Sequence, residues 1–200
     1  MSKIFIISAP SGCGKTTLVK ELCNSYSFLE QAISHTTRSK RANECEGNDY
    51  LFINNKEFMN KVSNKEFIEY QNVYNNLYGT SFSSIKSITD SGKDAILEID
   101  YKGMLSIKKS IPSAISIYIL PPNIQELRTR LKSRAMDSDE VIENRVSQAA
   151  KELPYSKFSD YIIINDRYED AAKSLKTIIL QTKLQCNSDI TALNTFFESC

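Results

Sequence analysis

The sequence predicts an α/β fold, a mostly parallel sheet flanked by helices, with one β-rich insert and one arginine-rich helical insert. Three observations carry this. Short apolar runs alternate with amphipathic segments along most of the chain. The first run, Ile4 to Ile7, ends in a small, Gly-containing turn that opens a helix at Lys15-Thr16-Thr17. Between Ser34 and Thr80 the helix–strand alternation gives way to mostly strand-like stretches.

In chain order, Ile4 to Ile7 read as a buried strand, and Leu18, Val19 and Leu22 share one face of the helix after the turn. Gln31 to Ser34 read as a short strand. Gly47 to Asp49 mark a turn, and Tyr50 to Ile53 a strand. Asn54 or Asn55 caps a short helix carrying Phe58, Met59 and Val62. Phe67 to Tyr74 is an aromatic strand, Asn75-Asn76 a tight-turn pair, and Tyr78-Gly79 close the insert. Ser83 to Ser91 is a helix stopped at Gly92. Ala95 to Ile99 is a strand, followed by a helix carrying Met104, Leu105 and Ile107. Ala114 to Leu120 is a strand stopped by Pro121-Pro122. Ile124 to Arg134 is a basic helix, and a polar break at Met136 to Asp139 precedes a helix over Glu140 to Leu153. Tyr161 to Ile164 is the last strand and Tyr168 to Lys183 the last helix. The segment from Gln185 onward offers no chemistry. Ligands of such a fold bind at the carboxyl ends of the strands.

Composition narrows the function. Two hundred residues suffice for one sizeable core, and the formal charge of +1 gives no pull toward nucleic acid or membrane. No apolar run has membrane-spanning length, and the N-terminal residues are too few for a signal peptide. Five cysteines without a C-x-x-C pair, and a single histidine, argue against zinc and for reduced thiols in a cytoplasmic protein.

The stretch A-P-S-G-C-G-K-T-T, Ala9 to Thr17, is a phosphate-binding loop in its expected strand–turn–helix setting. Backbone N–H groups and the helix start would cradle phosphates. Lys15 would reach the outer phosphates, and the Thr16 hydroxyl would bind Mg²⁺. Ala9 stands where the pattern has glycine, which is tolerable only if that residue does not need positive φ. A switch GTPase would carry N-K-x-D. Ile162 to Asp166, I-I-I-N-D, lacks the lysine.

Arg130 and Arg134 share a helical face, and Arg145 follows on the next helix. Clustered guanidinium groups suit the charge spread over a transferring phosphoryl group. In the β-rich insert, Arg38 and Arg41 suit a monophosphate, with Tyr50 and Tyr78 nearby. Glu69 is acceptor-only when ionised. It could take both N1–H and the 2-amino group of guanine, with the Ser34 and Thr80 hydroxyls serving the remaining edge atoms.

These motifs together (S-A-P-S-G-C-G-K-T, S-H-T-T-R-S-K-R, E-G-N-D-Y, F-I-E-Y, L-Y-G-T-S, L-E-I-D, I-L-P-P, and R-L-K-S-R with E-N-R) make the chain resemble the guanylate kinase family from Ile4 to about Lys183. The resemblance implies a P-loop NTPase-type fold and phosphoryl transfer from Mg·ATP to GMP or dGMP. It implies a single domain with a core (1–33, 81–125 and 153–183), a GMP-binding subdomain (34–80), a lid (126–152) and a tail (184–200).

Carried over by motif, Ala9, Pro10, Ser11, Gly12, Cys13, Gly14, Lys15, Thr16 and Thr17 would bind ATP, together with Arg130, Asn165 and Asp166. Ser34, Glu69, Thr80 and Asp100 would meet guanine. Arg38, Arg41, Tyr50 and Tyr78 would hold the GMP phosphate, with Glu98 beside it. Lys15, Arg38, Arg41, Arg134 and Arg145 would be catalytic. A homodimer is also expected from similar bacterial enzymes. Glu98 stands where many members have Asp, and Ala135 where glycine is usual. A sugar-phosphate kinase would need neither Glu69 nor Tyr78, and a non-catalytic binding module would have lost Lys15 or the lid arginines.

Overall fold

The computed structural model describes residues 2–42, 44–73, 75–133 and 138–186. Its central sheet is parallel throughout, in the order β2-β7-β1-β8-β9. The strands are β1 (Ile4–Ser8), β2 (Leu29–Gln31), β7 (Asp94–Ile99), β8 (Ile115–Leu120) and β9 (Tyr161–Ile164). In β1, β7 and β8 most residues facing both helical layers are apolar and buried, which is why these strands read as largely apolar runs rather than alternating ones.

Helices α1 (Lys15–Ser25), α5 (Ile124–Ser133), α6 (Asp139–Glu152) and α7 (Tyr168–Cys186) supply one core, with Leu18, Leu127, Val146 and Leu175 packed against Ile7, Ile96 and Ile117. On the other face α3 (Phe82–Asp90) and α4 (Tyr101–Ser110) pack Ile85, Ile88, Met104 and Ile107 against Ile6, Leu97 and Tyr118.

A second sheet, in the order β4-β3-β6-β5, comes from β3 (His35–Thr36), β4 (Leu51–Phe52), β5 (Phe67–Val73) and β6 (Asn76–Ser81). It is mixed, since β3 pairs parallel with β4 and antiparallel with β6. Helix α2 (Asn55–Ser63) closes it, begun by a capping box in which the Asn54 side chain accepts from Glu57 N–H and the Glu57 carboxylate accepts from Asn54 N–H. Its buried Phe58 stacks on Phe67 with centroids 4.6 Å apart.

Several elements differ from expectation. The single strand over Gln31 to Ser34 is two strands, β2 ending at Gln31 and β3 starting at His35. Ala32 N–H still donates to Ile96 C=O at 2.9 Å, so the chain leaves the central sheet there and enters the second one. Tyr78 and Gly79 do not end the insert but lie inside β6, a strand whose small and polar residues hide its period. Asn75 takes the turn, at φ 63°, while Asn76 already belongs to β6. A 3₁₀ turn over Leu153–Phe158, opened by Pro154, follows α6, and α7 runs on to Cys186. The expected break at Met136 lies outside the described residues; Ser138 caps α6 by accepting from Val141 N–H. The Asp100 side chain caps α4 by accepting from Gly103 N–H.

Truncating Phe58 to alanine removes the aromatic stack that fixes α2 on the second sheet. The expected cost is about 3–5 kcal/mol, read as a shift of the denaturant midpoint in equilibrium unfolding. A loss below about 1 kcal/mol would mean that α2 contributes little to the fold.

Candidate active site

The phosphate loop joins the end of β1 to the start of α1. Gly12 and Gly14 have φ of 96° and 82°, and no non-glycine residue of the loop has positive φ. Ala9 therefore meets no backbone demand that an alanine fails. Added Cβ atoms would also collide, at Gly12 with the Leu127 and Leu131 methyls and at Gly14 with Asn165 Nδ2 at 2.8 Å. Asn165 Nδ2 donates to Cys13 C=O at 2.8 Å, which pins the loop to the end of β9. Pro10 and Cys13 are buried beneath the loop, while Thr17 faces outward on α1.

The functional side chains around the loop are held by short contacts. Lys15 Nζ donates to Ile99 C=O at 2.8 Å, across to the end of β7. The Thr16 hydroxyl donates to Glu98 Oε1 at 2.5 Å, and Gln31 Nε2 donates to Glu98 Oε2 at 3.2 Å. Arg145 Nη2 donates to Ser11 Oγ at 2.6 Å, bringing α6 to the loop. Arg130 donates to the carbonyls of Asn165 and Asp166 at 2.8 and 3.1 Å and pairs with Glu126 at 2.8 Å. The Asp166 contact is thus a backbone one. Arg134 lies outside the described residues.

Beside the loop, a cavity of about 310 Å³ is lined by Ser34, Arg38, Arg41, Tyr50, Tyr78 and Glu98, all anticipated, and by Thr16 from the loop itself. It also contains Lys20, Gln31, Glu44, Asn48 and Asp49, which sequence reasoning passed over. Lys20 pairs with Asp49 at 2.6 Å and Arg38 with Glu44 at 2.7 Å. Each pair raises the basic group's pKa and lowers the acid's, chiefly through the hydrogen bond between them. Lys20 had a signal, since it lies one helical turn beyond Thr16. Asp49 lay next to Tyr50, already singled out. The Arg38 guanidinium sits 5.5 Å from the Tyr50 centroid, and burial pushes the Tyr50 hydroxyl up to about 12.

Glu69, Thr80 and Asp100 are not in the cavity lining; Thr80, and Glu69 through it, adjoin the cavity at Ser34. The Ser34 and Thr80 hydroxyls lie 3.2 Å apart. Glu69 Oε1 accepts from Thr80 N–H at 3.1 Å and from its hydroxyl at 2.8 Å. A Cβ on Gly103 would stand 2.9 Å from Glu69 Oε2. Glu69 is 6 % exposed, and its pKa is pushed up to about 7, by burial first, with Thr80 opposing and the Asp100 charge adding to the rise. Glu152, at the end of α6, is likewise pushed up to about 7 by burial and by Asp100. Among the described residues no three His, Cys, Asp or Glu side chains converge as a metal site. The Thr16 hydroxyl and the Glu98 carboxylate are the hard oxygen donors that suit Mg²⁺.

Residues 1–182 match the family model described as guanylate kinase. The chain belongs to the guanylate kinase family. It is 46 % identical to the guanylate kinase of Psychrobacter arcticus over 177 residues, covering 88 % of this chain and 85 % of that one. It is 43 % identical to that of Hydrogenovibrio crunogenus over 183 residues, 92 % and 89 % of the two chains. The crystal structure of guanylate kinase from Anaplasma phagocytophilum superposes with a TM-score of 0.75 at 30 % identity, covering 90 % of this chain and 86 % of that one.

Replacing Asn165 by alanine leaves the buried Cys13 carbonyl without its side-chain donor. The expected loss is about 1–3 kcal/mol of stability, measured by chemical denaturation. An unchanged midpoint would detach Asn165 from the architecture of the loop.

Proposed function

We propose that the protein transfers the γ-phosphoryl group of ATP to GMP, and to dGMP, giving ADP and GDP in purine nucleotide metabolism and GMP recycling. The observation that carries this reading is the buried Glu69 carboxylate, flanked by the Thr80 and Ser34 hydroxyls, beside an arginine-containing cavity that opens onto Thr16 of the phosphate loop.

Glu69 accepts the N1–H and amino protons of guanine through its oxygens, with Ser34 and Thr80 bonding the neighbouring edge. Adenine has a lone pair at N1 and would face the carboxylate unpaired. Arg38, Arg41, Tyr50 and Tyr78 hold the acceptor phosphate, with Glu98 alongside. Asp100 supports the base site through α4 and through its charge on Glu69. Residues 9–17 cradle the donor phosphates with backbone N–H groups, Arg130, Asn165 and Asp166 flank the donor nucleotide, and Lys15 leaves Ile99 C=O to follow the moving phosphoryl group. Arg145 arrives from α6 already seated on the loop at Ser11, and Arg134 is assigned the same task. Thr16 and Glu98 would hold Mg²⁺ together with the nucleotide, and the chemistry it would supply there is neutralisation of phosphate charge.

No covalent enzyme intermediate is required. A phosphate oxygen of GMP attacks the γ-phosphorus in line, and positioning and charge stabilisation supply the rate. In this reading residues 1–33, 81–125 and 153–183 form the core, 34–80 the acceptor unit and 126–152 the lid, whose closure excludes water. Among the described residues no helix is long and apolar enough to cross a membrane, and we read the protein as cytoplasmic.

The test is ADP formation from Mg·ATP with GMP, dGMP, AMP, CMP, UMP and ribose bisphosphate as acceptors. Turnover with GMP and dGMP alone is expected, and Glu69→Gln should narrow the preference for GMP over AMP by roughly tenfold or more. Turnover with ribose bisphosphate but not GMP would discard the base site and keep the phosphate chemistry.

A further inference from the structure

A side chain with no part in the transfer as written above holds the carboxylate beside Thr16. Gln31 is the last residue of β2, at the carboxyl end of the central sheet, and its Nε2 donates to Glu98 Oε2 at 3.2 Å. The Thr16 hydroxyl donates to the other oxygen, Oε1, at 2.5 Å. The sheet sets this contact up. β2 pairs parallel with β7 and Gln31 is in register with Ile96, so Gln31, Ile96 and Glu98 share the face that looks onto α1. Ala32 N–H donates to Ile96 C=O at 2.9 Å, which keeps the backbone of Gln31 on the sheet to its end. The charge of Lys20 also acts toward Glu98, but its ammonium donates to Asp49 at 2.6 Å, and the donor on Oε2 is Gln31.

The arrangement matters for a cation. A glutamate side chain has several rotatable bonds, and a loose carboxylate must give up that freedom to meet a metal. Gln31 takes the freedom up in advance, through a neutral amide. A lysine or arginine could hold the same oxygen, but its charge would repel the metal. A hydroxyl has one proton and two acceptor lone pairs. The Thr16 proton is directed at Glu98 Oε1, which leaves the lone pairs for a cation. Carboxylate and hydroxyl oxygens are the hard donors that Mg²⁺ takes. Groups that hold a ligating carboxylate in place are typically worth about tenfold or more in metal affinity.

We propose that Gln31 is a positioning residue for the divalent cation: by holding Glu98 Oε2 it keeps Oε1 against the Thr16 hydroxyl, so that the two ligands stand together before the metal arrives. Gln31 makes no bond to the metal itself and acts through Glu98. This rests on the reading of Thr16 and Glu98 as the residues that hold Mg²⁺.

The experiment is a titration of Mn²⁺ into the full-length protein with ADP bound, followed by the electron paramagnetic resonance signal of the free ion. It compares the wild type, Gln31→Leu, Glu98→Ala and the double variant. Gln31→Leu should weaken Mn²⁺ binding about tenfold, the low end for such a partner because the bond is a neutral one at 3.2 Å. In the Glu98→Ala background the same change should matter by less than about twofold. Calorimetric ADP affinity with the metal removed by a chelator should agree between wild type and Gln31→Leu within about twofold. Unchanged Mn²⁺ affinity in Gln31→Leu overturns the proposal. So does an equal loss in the Glu98→Ala background, or a parallel loss of metal-free ADP affinity, which is what a merely structural role would give. A wild type that holds Mn²⁺ no more tightly than Glu98→Ala overturns the metal reading of Glu98, and the proposal with it, while ADP formation from Mg·ATP and GMP tests the transfer separately.

Discussion

A carboxylate enclosed at the seam of two sheets sets the geometry of this molecule. Glu69 projects from β5 of the second sheet, is clasped by Thr80 on β6, and stands against Gly103 at the start of α4, which belongs to the central sheet's layer. An isolated ionised carboxyl is costly to bury. Here two donors reach one oxygen, and burial still pushes the group up to about 7. The unfolded group titrates near 4.5, so ionisation between these values opposes folding, and the cost grows as the pH rises from 4.5 through 7. A ligand that brings two N–H donors to this carboxylate relieves that cost, and a ligand lacking them does not. In the proposed function, base selectivity then follows from the fold's own unspent interaction.

The phosphate side is organised the opposite way, with almost every polar group already engaged. Lys15 is on Ile99, Thr16 on Glu98, Arg145 on Ser11 and Arg130 on the end of β9. These contacts pre-position the cations around the loop, and nucleotide phosphates would exchange with the weaker ones. Glu98 accepts from the Thr16 hydroxyl through one oxygen while Gln31 donates to the other. Arg145 and Glu152 stand on the same helix, so movement of α6 would carry a guanidinium and a half-buried carboxyl together.

Much of this was legible in the sequence because the signals are local. The loop's glycines, the apolar strand before it and the helix after it lie within a few residues of one another, and the αβ alternation follows from period alone. Gly12 and Gly14 adopt the positive φ that only glycine accepts easily, and Ala9 does not. The misses have a common origin in long-range pairing. β2 and β3 split because Ala32 is held by Ile96, sixty-odd residues away. β6 was overlooked because its residues N-L-Y-G-T-S owe their strand to β3 and β5 on either side rather than to propensity. Glu44 was passed over because polar loops are full of charges, and only the fold shows which one faces Arg38. The Lys20–Asp49 pair bridges α1 and the second sheet's loop, a contact with no trace in local spacing.

The most direct measurement is the pKa of the Glu69 side chain, followed by ¹³C NMR of its labelled carboxyl and assigned by its disappearance in Glu69→Gln. In the ligand-free protein it should titrate near 7. Bound GMP donates hydrogen bonds to the ionised form, so the value should fall well below 7, and GMP affinity should weaken as the pH falls through 7. A free-protein value near 4.5 that GMP leaves unmoved would contradict the account, since the carboxyl would then be neither held at a cost by the fold nor engaged by the base.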